Sequence, residues 1–94
     1  MFAITRRDDG TIALRGRFHA AHEAEAAEVF GAATASCDVD MSGLDYISSA
    51  GLSVLLETQR RLCDDGHELV LRGLSDHILD LFRIAGLDAI FRIE

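Results

Sequence analysis

The sequence predicts an α/β fold: a mixed sheet of about five strands with helices packed on it, in the order β-β-α-β-α-β-α-β, forming one domain over residues 1–94. Three observations carry this expectation. The chain opens with two alternating apolar runs divided by Asp9-Gly10. Two leucine-rich stretches with helical spacing each begin at a serine, Ser48 and Ser75. Short apolar runs of strand length separate and follow them.

Each element has its own local cause. Phe2 and Ile4 alternate with Ala3 and Thr5, and Ile12 and Leu14 alternate again beyond Asp9-Gly10. Both residues of an Asp-Gly pair tolerate positive φ, so a hairpin with strands at about 2–7 and 11–17 is expected. Residues 20–30 are mostly Ala and Glu, good helix formers with a thin apolar face, and Gly31 suits a left-handed C-terminal cap. Cys37, Val39 and Met41 alternate with Asp38 and Asp40, which predicts a third strand ending near Ser42-Gly43.

A second helix follows, with Ser48 as its N-cap and Ser49, Ala50 and Gly51 as its first turn. Ile47 and Leu52 have the spacing of a hydrophobic staple. Leu52, Leu55, Leu56, Gln59 and Leu62 make the apolar stripe, and the helix ends by Asp65-Gly66. Residues 68–72 (ELVLR) read as a buried strand. Leu74-Ser75 repeats the capping pattern for a third helix that buries Ile78, Leu79, Leu81, Phe82 and Ala85 and stops at Gly86. Ile90, Phe91 and Ile93 form a short closing strand.

Composition narrows the function. Hydrophobic residues make up 49% of the chain, enough for a folded core. The formal charge is −7, which repels phosphate backbones and anionic lipid, so neither nucleic-acid binding nor membrane-surface binding is expected. No apolar run approaches the roughly 20 residues of a transmembrane helix, and charge arrives too early for a signal peptide, which predicts a cytoplasmic protein. Arg6, Arg7, Arg15 and Arg17 read as a solvated strand face. Cys37 and Cys63 belong to no CxxC or zinc pattern, and both are expected to be reduced.

Candidate chemistry is sparse. His19 and His22 stand three apart, but no third ligand completes a metal site. Asp38, Asp40 and Asp45 are carboxylates near one strand's end, and Asp40 is the nearest of the strand pair to the small-residue segment. No GxSxG or SxxK pattern supplies a serine nucleophile, and there is no phosphate-cradling glycine loop. No enzyme activity, metal or cofactor is expected.

Capping explains Ser48, at about 1 kcal/mol. Ser49 and Gly51 are mediocre helix formers within the first turn. Slender residues there would leave the helix start open to a partner's backbone. The helix dipole would tolerate a phosphate on Ser49, which would add about −1.5 to −2 charge to the contact.

VDMSGLDYISSAGLSVLL (39–56) resembles the signature of STAS domains, the bacterial anti-sigma-factor antagonists, whose wording is close to DLSGVxxIDSSGLxxLL. LVLRGLSDHILDLFRIAGL (69–87) is similar to a second stretch of the same family, and the resemblance covers nearly the whole chain. It implies a βα sandwich and a partner-switching role without catalysis. The unmodified domain binds an anti-sigma factor that is also a serine protein kinase, phosphorylation of a serine at the second helix start ends that complex, and a phosphatase can reverse it.

Aligned without gaps, the acceptor is Ser49, and Asp40 matches a position usually Asp or Asn. Two positions depart: the motif aspartate is Ser48, and the acidic residue that follows the second strand's glycine is His19. The expected partner surface is His19, Asp40 and Ser48–Leu52 (Ser48, Ser49, Ala50, Gly51, Leu52) together with the 40–46 loop, with Leu44 in the core, on a monomer or weak dimer. The alternative is an unmodified STAS subunit of an ABC-type or anion-permease transporter complex.

Overall fold

The hairpin forms around its Asp-Gly turn. Strands β1 (Phe2–Arg6) and β2 (Ile12–Phe18) pair antiparallel, with Phe2 opposite Gly16 and Ile4 opposite Leu14. Gly10 takes φ +90, and the Asp9 carboxylate accepts the Thr11 N–H at 2.9 Å, so the turn uses both residues of the pair. This computed structural model describes residues 1–94.

Beyond β2, a 3-10 turn (Ala20–His22) leads into α1 (Glu23–Gly31), which buries only Ala26 and Phe30, the thin face its composition predicts. The expected left-handed cap at Gly31 is not there. Gly31 stays helical and Ala32 follows in the right-handed region. Arg61 supplies the termination instead: its guanidinium donates to the Phe30 carbonyl at 2.9 Å and the Ala33 carbonyl at 2.7 Å. A charged donor on a neighbouring helix satisfies the end carbonyls that a glycine turn would otherwise serve.

Strand β3 spans Cys37–Ile47, five residues or so beyond the Ser42-Gly43 end expected from alternation. Its pairing with β2 shifts register twice: Ala13–Arg15 faces Asp40–Gly43, and Gly16–Arg17 faces Leu44–Tyr46. Each shift places one extra β3 residue opposite β2, a bulge that flips which parity faces inward. Hence Val39, Met41, Leu44 and Ile47 are all buried although their spacing changes from two to three. The segment expected as a 40–46 loop is therefore strand. Gly43 sits under the Arg15 stem, whose Cγ would lie 2.9 Å from an added Cβ.

Helix α2 (Ser49–Asp64) buries Gly51, Val54, Leu55, Thr58, Gln59 and Leu62. Leu52 and Leu56, expected in the stripe, are only half-buried. The face is turned towards Val54 and Thr58 because α2 packs on α1 as well as on the sheet: Val54, Thr58 and Arg61 line a groove with Ala27 and Gly31. Strand β4 (Leu69–Arg72), α3 (Asp76–Ile84), a 3-10 turn (Leu87–Ala89) and β5 (Arg92–Ile93) complete the chain. Gly86, at φ +74, ends the α3 segment as expected, and Ser75 caps its start through the Ile78 N–H.

The sheet runs β1-β2-β3-β4-β5 with every pair parallel after the hairpin. The three helices that connect these parallel strands pack into one core against the sheet, as crossovers of a single hand require. Ile12, Leu14, Val39, Met41, Leu69 and Leu71 meet Leu55, Leu62, Ile78 and Phe82 there. The other face is polar. Arg72 bridges Asp38 and Glu94 across it, and Arg92 reaches Glu68 and Glu94. No helix is long and apolar enough to cross a membrane.

Gln59 holds three elements together. It is 6% exposed, its amide nitrogen donates to the Ile90 carbonyl at 3.0 Å, and its amide oxygen accepts the Leu69 N–H at 2.8 Å. Gln59→Leu keeps the volume but strands both backbone groups, so chemical denaturation should show a loss of about 2–3 kcal/mol.

Candidate functional site

Parallel strands that advance in one direction bring their C-terminal ends, and the helix starts that follow, to one edge of the sheet. At that edge the Ser48 N–H donates to the Phe18 carbonyl at 2.9 Å, so the ends of β2 and β3 are tied together. His19 follows β2 and Ser48 follows β3 directly at this tie. Ser48 is extended (φ −82, ψ 169), and its hydroxyl accepts the Gly51 N–H at 3.2 Å, the N-cap expected from sequence. Ser49 is the first helical residue and is exposed, and no protein group hydrogen-bonds its hydroxyl.

The small residues after it divide by role. Ala50 and Leu52 are half-buried, and Leu52 packs against the core. Gly51 is buried. A Cβ there would lie 2.8 Å from Ile47 Cγ1 and 3.1 Å from the Phe18 ring. Its slenderness therefore admits the protein's own core beneath the helix start rather than a partner above it, which corrects its place among the expected contact residues.

His19 is exposed and belongs to a wider aromatic and cationic group. Its ring centroid lies 5.0 Å from Tyr46 and 6.4 Å from His22. The Arg17 guanidinium rests 4.7 Å over the Tyr46 ring, with its Nε 3.4 Å from His19 Nε2. Phe2 stacks on His22 at 4.7 Å and meets Phe18 at 4.7 Å. Sequence reasoning placed Arg17 on a solvated strand and Tyr46 at the end of the expected 40–46 loop; the second bulge is what sets them opposite one another. No group of three or more His, Cys, Asp or Glu side chains is disposed to hold a metal ion.

Asp40 is not part of this edge. It lies in the row Thr5–Ala13–Asp40–Arg72 on the open face of the sheet. Its carboxylate accepts the Ser42 hydroxyl at 2.7 Å and the Ser42 N–H at 3.0 Å, and it pairs with Arg7 at 2.7 Å. These donors, Ser42 first, hold its pKa down at about 2 against an ordinary 3.8. The ionised form is the one stabilised, so the contribution is complete above about pH 4 and is lost as pH falls towards 2. With the pair partly solvated, Asp40→Asn should cost about 1 kcal/mol at pH 7 and only a small part of that near pH 2, read by urea titration at both. Cys37 is half-buried, and burial pushes its thiol up, which keeps it a protonated packing group.

Comparison with known proteins settles the family. The family model described as "Mlab, STAS domain" matches residues 2–93. The chain belongs to the STAS domain family. Among curated relatives, BtrV of Bordetella bronchiseptica, assigned as an anti-sigma factor antagonist, is 44% identical over 55 residues, 58% of this chain and 47% of that protein. The anti-sigma-B factor antagonist of Listeria monocytogenes is 39% identical over 56 residues, 60% of this chain and 49% of that protein. This STAS domain thus matches about half the length of these curated relatives.

Solved structures show the same fold at low identity. An anti-sigma factor antagonist from Mycobacterium paratuberculosis superposes with a TM-score of 0.80 at 17% identity, covering 99% of this chain and 83% of that one. The Bacillus cell fate determinant SpoIIAA in its phosphorylated form gives 0.61 at 17% identity, covering 100% and 91%.

Proposed function

We propose that this STAS domain is a partner-switching regulator: unmodified, it binds an anti-sigma factor that is also a serine kinase, and phosphorylation of Ser49 ends the complex. The reading rests on one observation above all, the exposed Ser49 hydroxyl at the first position of α2, unengaged because Ser48 does the capping. Relatives named as anti-sigma factor antagonists supply the class of partner. SpoIIAA, a structural neighbour, is itself known in a phosphorylated form. Phosphate on Ser49 would meet the positive end of the helix, so it would be accommodated without unfolding while adding about −1.5 to −2 charge where the partner sits.

Incubation with the anti-sigma kinase and ATP, followed by peptide mass spectrometry, tests the site. Phosphate on Ser49 and none on Ser49→Ala is the expected result; phosphate on Ser53 or Ser75 instead would remove Ser49 from the scheme. A second reading keeps the same surface without modification, as a STAS subunit docked to a transporter. It is favoured by Ser48 standing where the family has aspartate and His19 where it has an acid, so that neither family carboxylate flanks the hydroxyl. Under that reading Ser49→Asp binds as well as wild type.

A further inference from the structure

The surface beside Ser49 carries an arginine with no carboxylate partner, in a chain that is acidic as a whole. All nine basic residues are arginines, against sixteen acids. Four arginines are spent in ion pairs: Arg7, Arg72, Arg83 and Arg92. Arg61 caps α1. Arg6, Arg15, Arg17 and Arg60 pair with no carboxylate, and of these Arg17 lies over an aromatic ring. Tyr46 beneath it, His19 at 5.0 Å from that ring, and His22 backed by Phe2 continue the surface towards α2. Asp45, the neighbour of Tyr46 in sequence, forms no ion pair with Arg17 or either histidine. Stacking on Tyr46, with the Nε–H donated to His19 Nε2 at 3.4 Å, fixes the guanidinium plane and leaves the terminal N–H groups free to donate.

We propose that this Arg17–His19–His22–Tyr46 surface docks an acidic segment of the protein partner. The terminal nitrogens of the Arg17 guanidinium and the imidazole N–H groups can donate to carboxylates, and the aromatic faces match the aliphatic stems that carry them. The net charge of −7 opposes extended polyanions and leaves short acidic protein segments as the fitting class. The inference rests on the partner-switching reading and deepens it: a phosphate on Ser49 would compete within the molecule for the donors that hold the partner's carboxylates, so modification cancels the attraction.

The probe is a short glutamate-rich peptide with its glutamine counterpart as control, titrated into the isotope-labelled chain and followed by amide chemical shifts. Expected are shifts confined to residues 17–22 and 46–49, weakened about threefold or more when salt rises from about 0.05 to 0.2 M, and absent with the glutamine peptide. Arg17→Glu with His19→Glu should abolish them and Arg17→Lys should retain most. Should the double reversal fail to fold, Arg17→Gln against Arg17→Lys makes the same comparison. Equal shifts with the glutamine peptide, shifts centred elsewhere, or indifference to charge reversal would overturn the proposal. If the peptide fails while Ser49→Asp still releases the anti-sigma partner, this inference alone falls; if the peptide docks here while Ser49→Asp binds the partner unchanged, the acidic-segment surface stands and the switch falls.

Discussion

Ser49→Asp is expected to weaken binding of the anti-sigma partner at least tenfold, about 1.4 kcal/mol or more, while Ser49→Ala binds within about twofold of wild type. The difference lies in charge rather than size. Alanine removes a hydroxyl that no protein group uses, so neither the fold nor the cap is disturbed. Aspartate places an anion on the exposed first turn, where the helix start itself welcomes it but a surface built for the neutral residue does not. Thermal melts should therefore show Ser49→Asp as stable as wild type or slightly more so. Isothermal titration with the partner, run beside those melts, separates a lost contact from a lost fold.

Gly51→Val is expected to be the most damaging single change at the site, by about 2–3 kcal/mol, which in a domain of this size lowers Tm by about 10–20 °C. Any side chain there gains something, because glycine is the poorest helix former after proline, by about 1 kcal/mol relative to alanine. That gain is outweighed by the contact beneath. The Cβ alone would sit 2.8 Å from Ile47 and 3.1 Å from Phe18, and both of those residues are buried with little room to withdraw. Gly51→Ala should fall between, destabilised despite its better propensity. Because Phe18 ends β2 and Ile47 ends β3, forcing them apart also loosens the tie between Ser48 and the Phe18 carbonyl. Partner binding should then fall along with stability, unlike in Ser49→Asp. Circular dichroism melts of the two glycine variants check the order.

Most of the fold was legible because its signals are local. An Asp-Gly turn, two serine caps and a glycine stop need only a few neighbouring residues, and each sits where the spacing put it. What failed was non-local. The extension of β3 through Leu44 and Ile47 depends on two bulges created by pairing with β2, and alternation read along one strand cannot see its partner. The end of α1 depends on Arg61, 31 residues beyond Phe30 in sequence. At the site, Ser48 and Ser49 were separable by capping logic alone. Gly51 was misassigned because its neighbours above and below the helix start look alike in sequence. Asp40 was grouped with the site on motif position, whereas the bulges and the open sheet face assign its carboxylate to Arg7 and Ser42.

The most direct measurement is a map of the partner's footprint. Titrating the unlabelled anti-sigma kinase into the isotope-labelled chain should shift or broaden amides first at residues 17–22 and 46–53, and phosphorylation of Ser49 should erase those changes. A footprint centred on α3 and β5, or on the open face around Arg72 and Asp38, persisting after Ser49 is phosphorylated, would contradict it.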